Sequence, residues 1–242
     1  MKIYVVGIGP GSYEEMSLKA IKAIEDSDVI VGYDGYIKLI ENLTEGKEVY
    51  SSGMKRERER CAKAVEFALE GKKTAVISSG DAGIYGMAGL IHEICEKYED
   101  IEIETIAGIT ACSSAAARLG APIMNDFAVI SLSDLMTPWE IIEKRIKMAA
   151  EADFVICIYN PSSKKRTDNL KKACEYISEY RSNETICGYV KNIAREGEEY
   201  EITTLGKMKD TDTDMFTTVI VGNSTTRSIN GKMVTPRGYE IK

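Results

Sequence analysis

Short apolar runs that end near a glycine and lead into amphipathic stretches recur through the first half of this chain. Few folds accommodate that order. Ile3–Ile8 is apolar without polar alternation and runs into Gly9. A strand of that kind is buried on both faces, which predicts a parallel sheet covered by helices. Ser17 is positioned to N-cap a helix carrying Leu18, Ile21 and Ile24 on one face. Val29–Val31 reads as the next strand. The charged segment Lys55–Arg60 opens a helix that continues through Ala64, Val65, Ala68 and Leu69 and is stopped by Gly71. Strand Thr74–Ser78, helix Ile84–Tyr98, strand Ile101–Ile106 and the small-residue stretch Thr110–Arg118 follow.

The pattern changes after Gly120-Ala121-Pro122, which predicts a boundary between domains 1–120 and 121–242. Beyond it, strands Val129–Leu132 and Phe154–Tyr159 alternate with helices Pro138–Ala150 and Arg166–Tyr180. Three later apolar segments, Thr185–Val190, Tyr200–Leu205 and Phe216–Gly222, have no long helix between them. They predict hairpins in a mixed sheet. The fold class expected is α/β, in two domains of similar size.

Composition narrows the function. The 242 residues include 31 Lys+Arg and 38 Asp+Glu, a net charge of −7, which argues against a general nucleic-acid binder. No apolar run approaches the roughly 20 residues of a membrane span. Met1–Val6 reads as a strand and not as the core of a signal peptide, so a cytoplasmic protein is expected. The cysteines at 61, 95, 112, 157, 174 and 187 form no C-x-x-C pair, which fits reduced, mostly buried thiols better than a disulfide scaffold or zinc ribbon. The single histidine, His92, falls on the polar side of its helix and is expected at the surface, so neither a His-based triad nor a protein-bound metal is predicted.

Four strand ends carry the informative residues, and ligands of open α/β sheets sit beyond such ends. Gly7-Ile8-Gly9-Pro10-Gly11-Ser12 fails as a dinucleotide fingerprint. Ser12 stands where the third glycine is needed, and Pro10 removes an amide that a pyrophosphate would use. Asp34 imitates the ribose-binding acid of that motif without rescuing it. In Ser78–Met87, Asp81 reads either as a helix N-cap or as a group beside a ligand lying on backbone. Ala107-Gly108-Ile109-Thr110-Ala111 and Tyr159-Asn160-Pro161-Ser162-Ser163 complete the set.

In this order the loops resemble the tetrapyrrole methylase family, the S-adenosylmethionine-dependent enzymes of corrin and siroheme synthesis. Gly80-Asp81-Ala82 stands at that family's Gly-Asp-Pro position and Ala107–Ala111 at its Pro-Gly-x-Thr-Ala position. Val31-Gly32-Tyr33, Ile130–Leu135, Thr137-Pro138-Trp139, Phe216–Val219, Gly222-Asn223-Ser224 and Met233–Tyr239 extend the resemblance over residues 3–239. They point to the branch that methylates C17 of precorrin-3B or cobalt-precorrin-3 and contracts the ring. Alternatives are a sibling acting at another ring position and a non-catalytic tetrapyrrole binder. Ala82 and Ala107 replace prolines of the family pattern, and Asn125 stands where this branch commonly has His. Asn is no base at neutral pH.

The resemblance implies a class III methyltransferase fold, two α/β domains with an active-site cleft between them, working as a homodimer. Methyl transfer from a sulfonium to an electron-rich ring carbon needs alignment more than acid–base help. The cofactor residues it implies are Gly9, Pro10, Gly11, Gly80, Asp81, Ala82, Ile84, Thr110 and Ala111, with Tyr159, Asn160, Val190 and Thr217 at the adenosine. Ring contraction leaves Asp81, Asp126, Ser131 and Asp134, or the substrate's own cobalt, open as proton-handling groups. The substrate's carboxylates call for cations, for which Lys55, Arg56, Arg58, Lys164, Lys165, Arg166, Arg195 and Arg237 are the candidates. For Lys55–Arg60 and Lys164–Arg166 a solvated helix end remains the competing reading.

Overall fold

The computed structural model describes residues 1–163 and 166–240. Its chain divides into two compact units, Met1–Ala111 and the chain from Cys112 onward.

The first unit contains β1 (Lys2–Gly7), α1 (Leu18–Glu25), β2 (Val29–Tyr33), α2 (Asp34–Leu39), β3 (Glu48–Ser52), α3 (Glu57–Leu69), β4 (Thr74–Ser78), α4 (Ala88–Cys95) and β5 (Glu102–Ile106). The strands form one parallel sheet in the order β3-β2-β4-β1-β5. Its two faces follow from alternation along each strand. Ile3, Val5, Val29, Val31 and Val76 pack on one side with Cys61, Ala64, Ala68 and Ile91 of α3 and α4. Tyr4, Val6, Ile30 and Ile77 pack on the other with Ala20, Ile21 and Ile24 of α1. Each fully buried Ile contributes about 1.5–3 kcal/mol. Ser17 caps α1 as expected, its Oγ accepting from the Ala20 amide at 3.1 Å, and Gly71 ends α3 with φ +88°.

Several local expectations change. Leu18 is 75% exposed, because the buried face of α1 is Ala20, Ile21, Ala23 and Ile24. The helix expected over 84–98 starts at Ala88, since Gly83 to Met87 are held in bends by Tyr85 at φ +55° and by Gly86 packed on Ala82. The edge strand β3 gave no apolar run to read.

The second unit holds α5 (Ala111–Leu119), which starts in the last residue of the first, then β6 (Gly120–Ala121), β7 (Phe127–Ser131), α6 (Trp139–Glu151), β8 (Val155–Tyr159), α7 (Asn169–Ser178), β9 (Ile186–Lys191), β10 (Glu199–Thr204), α8 (Leu205–Met208), β11 (Thr217–Val221), β12 (Arg227–Ile229) and β13 (Lys232–Val234). The main sheet runs β10-β9-β11-β8-β7 and is mixed as expected: only β7 and β8 are parallel. Leu119 of α5 fills the space over Gly188, where a Cβ would come within 2.7 Å of it. Gly120-Ala121 pairs with β13. The helix expected from Arg166 starts at Asn169. Among the described residues no helix is long and apolar enough to cross a membrane.

All six cysteines are buried and free. Burial pushes the Cys61 and Cys174 thiols up to about 12. Iodoacetamide is therefore expected to leave the native protein unlabelled at pH 8 and to alkylate every thiol once it is denatured, read by intact mass. A thiol that reacts natively contradicts the packing described.

Candidate active site

In the first unit, loops from β1, β4 and β5 converge at the carboxyl ends of three adjacent strands. Their backbones touch because they are glycines. A Cβ on Gly7 would lie 2.7 Å from the Gly80 carbonyl oxygen, 2.8 Å from the Gly108 nitrogen and 2.9 Å from the Ala82 nitrogen. Gly9 and Gly80 exchange two hydrogen bonds, the Gly80 amide donating to the Gly9 carbonyl at 2.7 Å and the Gly9 amide to the Gly80 carbonyl at 3.1 Å. Both take left-handed φ, +74° and +65°, open to glycine at little cost.

Asp81 ties this cluster together. Its Oδ1 accepts from the Gly83 amide at 2.8 Å and its Oδ2 from the Gly108 amide at 2.9 Å. It does not cap α4, whose N-cap is Met87. Gly9, Pro10, Gly80 and Ala82 are buried, Gly11, Thr110 and Ala111 half-buried, and Ile84 and Ile109 exposed. An anionic group would find an amide here: the Ala111 N–H opens α5 and has no acceptor among the described residues. A Cβ on Gly80 would stand 3.7 Å from that nitrogen, so its absence leaves room beside it. Backbone amides, a carboxylate and small residues fit the zwitterionic end and sulfonium of S-adenosylmethionine.

In the second unit, Asn160 follows β8 with φ +52°. Its Nδ2 donates to Ser131 Oγ at 2.9 Å, and the Ser133 amide donates to the same oxygen at 3.2 Å. Ser131 is thereby left with one proton to give, for which no acceptor stands among the described residues. Tyr159 Oη accepts from the Cys112 amide at 2.7 Å. Val190 and Thr217 are buried, at 0% and 2% exposed, and Thr217 Oγ1 donates to Asp214 Oδ1 at 2.9 Å. Asp134 is ion-paired with Arg166. Asp126 lies on an exposed turn, where its amide donates to Asn125 Oδ1 at 2.9 Å. The four acid–base candidates are thus in unlike settings, and only Ser131 keeps an uncommitted proton.

Of the cation candidates, Lys55, Arg56, Arg58 and Arg237 are exposed, and Arg195 lies 5.7 Å over the Phe216 ring. Lys164 and Lys165 lie outside the described residues. His92 is exposed, as expected. Trp139 opens α6 and donates from Nε1 to Tyr176 Oη at 3.2 Å. Arg60, which in sequence belongs to a run that reads as a solvated helix end, has a buried side chain. The signal was there: position 60 lies on the α3 stripe with Ala64 and Ala68, four and eight residues on.

A parallel sheet with glycine loops and a carboxylate at its carboxyl edge, followed by a mixed α/β unit, defines the class. Residues 2–209 match the family model of the Tetrapyrrole (Corrin/Porphyrin) Methylases, and the chain belongs to that family. It is 50% identical over 238 residues, 98% of this chain and 99% of the other, to a probable cobalt-factor III C(17)-methyltransferase of Salmonella typhimurium. It is 35% identical over 246 residues, 98% and 96% of the two chains, to a precorrin-3B C(17)-methyltransferase of a Sinorhizobium species. A crystal structure of the methyltransferase CobJ superposes with a TM-score of 0.90 at 33% identity, covering 97% of this chain and 99% of that one.

Proposed function

We propose that this protein is an S-adenosylmethionine-dependent methyltransferase that methylates C17 of a cobalt-bearing precorrin-3 macrocycle, with ring contraction, in cobalamin synthesis. The observation that carries this reading is the 50% identity, end to end, with the Salmonella relative named for cobalt-factor III. The lower identity, 35%, to the relative named for metal-free precorrin-3B favours the cobalt form of the substrate.

S-adenosylmethionine supplies an electrophilic methyl with a good leaving group, so the chain's own work is alignment and exclusion of water. The Gly7–Gly80–Gly108 contacts fix the loop backbones, Asp81 holds two of those loops in register, and the Ala111 amide is the group we assign to the cofactor's carboxylate. Ser131, pinned as a double acceptor by Asn160 and Ser133, is the residue we assign to proton donation during contraction.

The test is anaerobic incubation of the purified protein with S-adenosylmethionine and trimethylated cobalt-factor III, with metal-free precorrin-3 alongside, followed by product mass and absorbance. The expected result is one added methyl and the spectrum of a contracted ring with the cobalt substrate, and little turnover without cobalt. Methylation without contraction would move the protein to a sibling activity. Binding without any methyl gain would make it a carrier.

A further inference from the structure

Arg60 is a buried cation that this chemistry leaves unexplained. Its side chain is only 4% exposed. Nη1 donates to the Gly53 carbonyl at 2.8 Å, to Ser52 Oγ at 3.1 Å and to the Ser52 carbonyl at 3.4 Å. Nη2 pairs with Glu57 at 3.2 Å, and Nε is buried with no partner. A buried guanidinium with an unmet N–H is costly, and a well-packed apolar residue would serve stability at least as well. What Arg60 does hold is the backbone at the carboxyl end of β3, where the chain turns into α3 through Lys55 at φ +66°.

That turn displays charge in a graded way. Arg56 is paired with Glu59 at 3.4 Å. Lys55 and Arg58 are exposed and make no ion pair with any described residue. Lys55 lies in the turn itself and Arg58 in the first turn of α3. β3 lies two strands from β4 in the sheet, about 10 Å from the Gly80-Asp81 loop. Its carboxyl end lies on the same edge of the sheet. A macrocycle with its reacting carbon near that loop can lay a peripheral arm at β3.

We propose that the β3–α3 turn binds a peripheral carboxylate of the tetrapyrrole, with Lys55 and Arg58 making the contacts and Arg60 as the positioning residue that sets the turn. The inference rests on the tetrapyrrole reading above and adds a substrate subsite to it. Arg56 takes little part, because Glu59 already neutralises it.

Two variants test it, Arg60→Met, which keeps the apolar stem, and Lys55→Gln/Arg58→Gln, which alters only exposed groups. Each is expected to raise KM for the cobalt substrate by at least about tenfold, the loss of one charge-assisted contact setting the lower bound. Neither should shift kcat or S-adenosylhomocysteine affinity. Arg60→Lys should recover part of the loss, and adding Arg60→Met to the double variant should change KM little further. A folded Arg60→Met protein with unchanged KM overturns the proposal, as does loss of S-adenosylhomocysteine affinity in step with KM. If Arg60→Met does not fold, the surface double variant decides alone, and an unchanged KM overturns it. Binding of uroporphyrin III, as free acid and as methyl ester, is titrated by absorbance in parallel. Free-acid binding that depends on Lys55 and Arg58 in a protein without turnover would keep the subsite and sink the methyltransferase reading.

Discussion

Gly7→Ala is expected to lower the melting temperature by about 10 °C and to weaken S-adenosylhomocysteine binding more than tenfold. The added methyl would sit 2.7–2.9 Å from three backbone atoms on the Gly80, Ala82 and Gly108 segments. None of these is the end of a flexible side chain, so relief requires the β4 or β5 loop to move as a whole. Overpacking of this kind costs about 3 kcal/mol, and for a chain of this length each kcal/mol is worth about 2–4 °C. The affinity falls because the loops that must separate are those carrying Asp81 and Ala111. Gly89→Ala is the matched control. That glycine lies in α4 with open space around its Cα and no positive φ, so alanine should stabilise the helix by up to about 1 kcal/mol. Calorimetry and isothermal titration on the two variants read both effects. A Gly7→Ala protein that melts and binds like wild type would mean that the three loops are not in contact.

The sequence made the architecture legible where one interaction decides. A continuous apolar run such as Ile3–Ile8, leading into Gly9, reads as an inner parallel strand because both its faces are buried. Ser17 before an apolar stripe is a cap because the orphan amides of α1 need an acceptor. Legibility failed where two interactions compete. β3 is an edge strand whose residues Glu48-Val49-Tyr50 are half in water, so hydrophobicity does not mark it. Arg60 lies in a run of alternating Arg and Glu that reads as a solvated helix end, and only its phase relative to Ala64 and Ala68 separates it from Arg56 and Arg58. Asp81 was compatible with two roles, and the structure supplies a third that depends on Gly108, far along the chain. No local pattern encodes a hydrogen bond between the loops of two strands that are separated in the sheet by a third.

That bond supports the second large effect. Asp81→Asn is nearly isosteric but replaces one acceptor with a donor. Either the Gly83 or the Gly108 amide then faces an NH2 group, and the β4 and β5 loops lose their shared carboxylate. The stability cost is modest, about 1–2 kcal/mol, because the Gly83 amide is exposed and water can replace its partner. The functional cost is expected to be larger and confined to cofactor binding: KM for S-adenosylmethionine up more than tenfold, with kcat at saturating cofactor within about threefold of wild type and its pH profile unchanged in shape. A proton-transfer role predicts the opposite split, since general acid–base groups contribute about 10²–10⁴ to the chemical step. If Asp81→Asn binds S-adenosylmethionine normally and loses that much in kcat, Asp81 acts on the substrate and the assignment to Ser131 fails. If the cofactor affinity falls and the chemistry survives, the carboxylate is a loop clasp. The chemical step then proceeds without a base from the β4 loop, as expected when a sulfonium supplies the driving force and the backbone supplies the alignment.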